Sequence, residues 1–468
     1  MKLLIGLVGV LGVFLLSSFN WRQYVKAVFF ILVLEGVLRK WVLPQASDLL
    51  YFMKDFVLIG AYIKYYLASD HNIKNKKSII NVIIFFVVLW CSFQAFNPSL
   101  GSPIVGIIGL KAYILNIPLI WMIPKLFQSE EELYRFLRLH LLLAIPVCIL
   151  GIIQFFSPPS SPINLYTAGD VTSVATFGAG GANITRITGP FSYIDTYVVY
   201  LIVCFGLLVV LVSLNQSRWW RWLSIAEILL VTINSFMTGS RSCVFASVLF
   251  LAGYLGIRGL SQPSSTLLWL RQFLAPALVI FIAASIWFKP AIDAFWLRTN
   301  SNQDVSGRVS HTFTQPLDFV KYKGLDGYGT GATQPGGWAI RNALGLPAPE
   351  LIPASYEEEP GRIVLEIGPI GFILWYGLRL SILIALWLVF WKLKRPFLRQ
   401  LALAAFLIQA IQFSDQLVTQ HTFSVYYWFL SSFVFLLPRL EQIENWHREQ
   451  QLLQQNVPTT YIPSSPYQ

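Results

Sequence analysis

Three arginines in this sequence stand beside apolar segments, and each has a glycine within three residues. Arg186 lies in "NITRITGPF", Arg241 in "TGSRS" and Arg308 in "VSGRVSHTF". A guanidinium is planar, always charged and able to grip a phosphate through two parallel hydrogen bonds, and a nearby glycine lets backbone approach a ligand closely. Three such groups converging would suit a pyrophosphate. Each arginine has an ordinary alternative: capping a helix C-terminus, pairing with a carboxylate, or snorkelling to lipid headgroups. Arg241 is the most telling, because "LSIAEILLVTINSFM" precedes its turn and "CVFASVLFLAGYLG" follows it. An arginine placed in lipid costs roughly 2.5–3.5 kcal/mol even on lenient insertion scales, so a compensating partner is expected.

Groups that could take a proton lie nearby in the chain. "EEEPGRIVLEIGPIGF" (357–372) carries Glu357, Glu358, Glu359 and Glu366. A run of three glutamates is usually a solvated face. Glu366 stands apart, at the start of an apolar stretch, where it would act as a base or stabilise a helix N-terminus through the dipole. Asp195 in "FSYIDTYVVY" and Asp415 in "IQFSDQLVTQH" are at or near membrane depth, where ionisable groups are functional candidates by default. His311 and His421 would be proton acceptors or hydrogen-bonded structural groups. The candidate catalytic set is therefore Glu366, Glu357, Glu359 and His311, and the candidate pyrophosphate ligands are Arg241, Arg308 and Arg186. No metal-ligand spacing is present, and no cofactor is expected.

The elements that position these residues must be membrane helices. Of 468 residues, 55% are hydrophobic and only 12% charged, with mean hydropathy +0.60. A soluble domain carries about 25% charged residues, so this chain lacks a polar coat. Apolar segments fall at 3–19, 24–43, 49–67, 79–97, 103–123, 137–156, 191–213, 223–238, 242–257, 269–288, 367–391, 400–419 and 423–438, predicting an all-α integral membrane protein of about 12–13 spans. The opening "MKLLIGLVGVLGVFLLSS" lacks a small-x-small cleavage site and reads as a retained first span. The four cysteines, Cys91, Cys148, Cys204 and Cys243, lie in or beside apolar segments and read as small core hydrophobes.

Charge sets the orientation. "NIKNKK" (72–77), "RWWRW" (218–222), "RGLSQPSSTLLWLR" (258–271) and "KLKRPFLR" (392–399) belong on the cytoplasmic side, which accounts for the net charge of +11 without any nucleic acid. The chain then divides into N-terminal spans (1–156), an outer loop (157–190), central spans (191–288), a large outer loop (289–365), C-terminal spans (366–440) and a cytoplasmic tail (441–468). The 289–365 loop, with "GLDGYGTG" and "TQPGGW", is long enough to be functional, and its aromatics argue for order. The tail reads as a short polar helix with a disordered end. The cytoplasmic half has no Walker loop, zinc motif or dinucleotide fingerprint, which argues against an ATP-driven pump. Glu35 and Arg39 at i,i+4, and Lys54 beside Asp55, read as structural pairs.

The order of these features resembles the O-antigen ligase and O-antigen polymerase family of bacterial polytopic glycosyltransferases. "RITGPF" (186–191) looks like the family's Arg-x-x-Gly-x-Phe, "TGSRS" (238–242) its Thr-x-Ser-Arg turn, "SGRVSHTF" and "GLDGYGTG" its loop arginine and following Gly-x-Gly, and "LEIGPIGF" (365–372) its Glu-x-Gly-x-x-Gly. The match spans roughly 180–390. The family's ligases carry a His-Asn pair about eleven residues before the Gly-x-x-Gly; here that place falls near Glu357 with no histidine close by, which favours a polymerase-like member. The resemblance implies a GT-C-like protein of the bacterial inner membrane with an undecaprenyl-pyrophosphate glycan as donor, a sugar hydroxyl as acceptor, membrane lipids around it, and no metal. A transporter or flippase of lipid-linked sugars, needing the outer arginines but no base, is the rival expectation.

Overall fold

The computed structural model describes residues 20–67, 78–166, 174–177, 184–214, 216–261, 263, 286, 288–301 and 305–455. The expected first span, nearly all of 269–288, the "NIKNKK" segment and the tail beyond Gln455 lie outside the described residues. Helices make up almost all of the rest: α1 (Trp21–Val37), α2 (Met53–Leu67), α3 (Ile79–Gln94), α4 (Pro103–Ile114), α5 (Leu119–Leu126), α6 (Glu130–Leu142), α7 (Ala144–Phe156), α8 (Ile194–Val212), α9 (Arg218–Met237), α10 (Arg241–Ser261), α11 (Lys289–Ser301), α12 (Val305–Lys323), α13 (Gly337–Leu344), α14 (Glu359–Lys392), α15 (Pro396–Ile411), α16 (His421–Ser431) and α17 (Phe433–Gln455). A small hairpin pairs β1 (Thr176–Phe177) with β2 (Ile184–Thr185) antiparallel.

Among the described residues, six helical stretches are long and apolar enough to cross a membrane: Pro103–Leu126, Glu130–Phe156, Ile194–Val212, Arg241–Ser261, Glu359–Lys392 and His421–Leu453. Ile79–Gln94 and Pro396–Ile411 are apolar but shorter. The protein is all-α and of membrane type. Helix α8 is its axis: every residue but Asp195 and Thr196 is buried, as expected of a helix apolar all round. By contrast, α10 turns Phe245, Val248 and Leu249 outward, an apolar face suited to lipid.

The helix ends sort to two faces. On one, Lys26 pairs with Glu132 at 2.6 Å, Arg395 pairs with Glu130, the Glu130 amide donates to Glu444, and Arg439 donates to the Pro124 carbonyl. This is the tail face. On the other, Trp41 donates to the Pro162 carbonyl, Asn97 to Gly327, Arg341 to Leu100 and Gln416 to Glu357, while Phe236 packs edge-on against Phe295. This loop face gathers 157–166, 184–193, 238–240, 289–301 and 305–358. The 289–365 stretch, expected as a long loop, is largely helical there, in α11, α12 and α13.

Between the faces, the two strongly polar residues of α9 are matched to partners. Arg138 grips both carboxylate oxygens of Glu227, at 2.7 and 3.1 Å, and also donates to Ser224. The Asn234 side chain accepts from Tyr197 at 2.9 Å. The two polar residues of the α9 run thus both meet partners inside the bundle.

Helix α14 is broken once. Gly368 has φ 68° and ψ 176°, and Pro369 follows it. The break frees carbonyls that a continuous helix would use, since proline has no N–H to offer. Three donors from elsewhere take them: the Tyr328 amide on Leu365, the Gly329 amide on Glu366 and the Trp90 indole on Ile367, at 2.7, 2.8 and 2.8 Å. A side chain at Gly368 would meet the Leu325 carbonyl at 2.1 Å, so the close approach of the "GLDGYGTG" loop requires glycine.

Candidate functional site

The "RITGPF" segment forms a strap across the loop face. Its entry is set by β2, whose pairing with β1 leads into Arg186, and the Arg186 amide donates to Ala175. Its middle is held by Gln154 at the end of α7. That buried side chain accepts from the amides of Thr188 and Gly189, at 3.3 and 2.8 Å, and donates to the carbonyls of Gly189 and Ile163. Phe191 stacks on Tyr197, with ring centroids 5.6 Å apart, and ties the strap to α8. Helix α1 passes directly beneath. A Cβ at Gly36 would stand 2.0 Å from the Pro190 carbonyl oxygen.

One of the three sequence-predicted arginines reaches from this strap to the turn that precedes another. Arg186 is half-buried, and its Nε donates to the Thr238 carbonyl at 3.0 Å. The Ile187 amide reaches the Met237 carbonyl at the same turn. Arg241 follows three residues later as the first residue of α10. The turn itself is built by Thr238, whose hydroxyl donates to Ser235 and accepts from the Ser240 amide, and by Gly239 at φ 62°. An arginine at a helix start adds to the positive end of the dipole instead of opposing it.

Arg308, expected on the large outer loop, lies in the first turn of α12. Its side chain is outside the described ones. Helix α12 packs along α14, with Phe319 against Gly361. His311, one turn further along α12, is exposed.

The glutamates divide differently from the expectation. Glu366 is not at a helix start, since α14 begins at Glu359, so the dipole role does not apply to it. It is buried and clamps the loop: one oxygen accepts from the Thr333 amide and hydroxyl at 3.0 and 2.7 Å, the other from the Tyr113 hydroxyl at 2.7 Å. Glu359 is also buried, pairing with Arg379 at 3.1 Å and accepting from the Val418 amide. Glu357 is exposed, and its carbonyl holds Gln416.

The carboxylates that approach the strap are others. Asp195, exposed at the start of α8, is within electrostatic reach of Arg186 and of Asp415, and Asp415 in turn lies within reach of Glu358. The sequence marked Asp195 and Asp415 as near the membrane but offered no reason to place them beside Arg186. Tyr166 completes this rim. Burial pushes its hydroxyl up to about 12 against the opposing pull of Arg186, so it stays protonated and donates to the Arg186 carbonyl.

On the far side of the strap, pairs read as structural form a larger cluster. Glu35 takes Arg39 at 3.2 Å and Lys54 at 2.7 Å, and Asp55 takes Lys111. Arg39 also donates to Ser192 at 3.1 Å, and Lys40 donates to Thr188 at 2.7 Å and to the Gly189 carbonyl. Sequence reasoning missed these strap contacts. Their only local signal was the "LRK" that ends the first apolar run. His421, the first residue of α16, packs its ring on Tyr51 near Lys54 and Lys111. Comparison of the sequence with protein-family models and with curated proteins finds no match.

Proposed function

We propose that the chain is a polymerase- or ligase-like glycosyltransferase of the bacterial inner membrane, GT-C-like in architecture, that moves a glycan from an undecaprenyl-pyrophosphate donor to a sugar hydroxyl. The observation that supports the reading is the bond from Arg186 to the Thr238 carbonyl, which fastens one predicted pyrophosphate ligand to the turn just before the other. In this reading the loop face is the outer one, because the lysines and arginines of 392–399 and 439–448 crowd the opposite face.

Chemistry would run without ATP, since the leaving group carries the energy. The acceptor oxygen attacks the anomeric carbon, and its proton passes to a carboxylate, for which Asp195 is the best placed. The bond from anomeric carbon to phosphate oxygen breaks, and its electron pair stays on the pyrophosphate. Arg186 and Arg241 stabilise that growing charge, and preorganised donors of this kind contribute most in a water-poor site.

The test is extension or transfer of a lipid-linked glycan by the purified protein in liposomes. A longer or transferred glycan, lost in Arg241→Ala, is the expected result. Movement of the lipid-linked sugar across the bilayer with no new glycosidic bond would replace this reading with a flippase. Cysteine labelling at Ser355 and Gln450 checks orientation: both accessible from one side would remove the outer-face site.

A further inference from the structure

The cluster beneath the strap holds more positive charge than its own carboxylates balance. Arg39, Lys40, Lys54 and Lys111 contribute four cations, and Glu35 and Asp55 are the carboxylates paired with them among the described side chains. All but Lys111 are buried, and the Lys111 side chain is 21% exposed. Glu35 is shared by two cations. Among the described residues, Lys40 donates only to the neutral oxygens of Thr188 and Gly189, and Nη2 of Arg39 donates to no acceptor. The rings of Tyr51 and Trp41 lie against these cations, with Lys54 4.5 Å from the Tyr51 centroid and Lys40 5.4 Å from that of Trp41. Tyr193, half-exposed, lies within electrostatic reach of Tyr51 at the edge of the cluster.

Burying unbalanced charge is expensive, and proteins resolve it by pairing the charge or binding a counter-ion. We infer that Arg39, Lys40, Lys54 and Lys111 form a binding site for a phosphate-bearing anion beneath the strap, separate from the Arg186–Arg241 turn. With Lys40 kept protonated by the bound anion, the excess of two charges matches a phosphate group, which carries about −1.5 to −2 at pH 7. The anion comes either from a soluble phosphate compound or from a lipid headgroup, because the cluster sits where α1 and α2 reach the loop face. An anion held there would also grip the strap through Lys40 and Thr188. The inference does not require the glycosyltransferase reading.

The experiment is thermal unfolding of the purified full-length chain at fixed ionic strength. One arm adds inorganic phosphate or pyrophosphate in non-ionic detergent, with chloride as the control. The other compares nanodiscs of phosphatidylcholine with and without phosphatidylglycerol. A saturable rise in Tm in either arm is expected, and the arm that shows it names the source. Lys40→Met and the more exposed, milder Lys111→Met should each weaken that binding by about tenfold or more, roughly one charge-assisted contact, while Arg241→Ala keeps it. No stabilisation of the wild-type chain in either arm overturns the site. So does equal binding by both lysine variants, or loss in Arg241→Ala alone. The Asp48 side chain lies outside the described ones, and stabilisation seen only in Asp48→Asn would show that the chain supplies its own counter-ion, which also overturns the site.

Discussion

Arg138 and Arg186 show two ways of keeping an arginine inside a membrane protein. Arg138 is closed against Glu227 by two bonds and is neutralised where it stands. Arg186 is fastened by a backbone carbonyl, and Asp195 acts on it only through electrostatics among the described contacts. A carboxylate cancels a guanidinium, whereas a carbonyl only orients it and leaves its charge for something else. The first arrangement serves the fold. The second is what a ligand site needs, and Arg241 on the same turn strengthens it.

The comparison breaks most visibly at the closed pair. Arg138→Ala leaves a buried carboxylate uncompensated and should destabilise the protein by about 3–5 kcal/mol, whereas Arg138→Met with Glu227→Leu should recover most of that loss. Chemical denaturation in detergent measures both; equal stability of single and double variants would refute the closed-pair account. Next comes the open side. Arg241→Ala should lower glycan transfer about a hundredfold with little change in Tm, and Arg241→Lys should rescue poorly because an ammonium lacks the two-pronged fork. Glycan chain length at matched membrane levels reads this out, and wild-type products would make Arg241 an anchor only.

Smaller effects sharpen the same contrast. Gly36→Ala should cost about 1–3 kcal/mol, because its methyl meets the Pro190 carbonyl and pushes α1 off the strap. Thermal unfolding checks the stability, and transfer assays check whether the displaced strap also loses activity. Glu357→Gln, on an exposed side chain, should change transfer and stability by less than about 0.5 kcal/mol. A large loss of transfer in that variant would return Glu357 to the candidate bases and displace Asp195.

What the sequence discloses is mostly local. Arg241 stands out because its neighbours are apolar, and the turn at Thr238–Ser240 falls where the two apolar runs meet. The helical class follows from the runs themselves. The duties of the carboxylates do not follow, because their partners are far along the chain. Glu366 meets Thr333 and Tyr113, 33 and 253 residues away, and no spacing rule links "LEIGPIGF" to either. Lys40 meets Thr188 across 148 residues. Glu35 and Arg39 were readable as an i,i+4 pair, but the sharing of Glu35 with Lys54 requires α1 and α2 to fold back on each other. Order in the 289–365 segment was legible from its aromatics, whereas the placing of Arg308 on a helix was not.

The break at Gly368 has a mechanical consequence. Three carbonyls freed there are taken by Tyr328, Gly329 and Trp90, so the joint in α14 is keyed, and its two halves cannot bend independently. Lifting the "GLDGYGTG" loop would strip two of these carbonyls of their donors and the Glu366 carboxylate of Thr333. Each buried group left unsatisfied costs about 1–3 kcal/mol. The loop and the span therefore travel as one rigid lever. Peeling this loop away from the span would carry the cost of all of those groups at once.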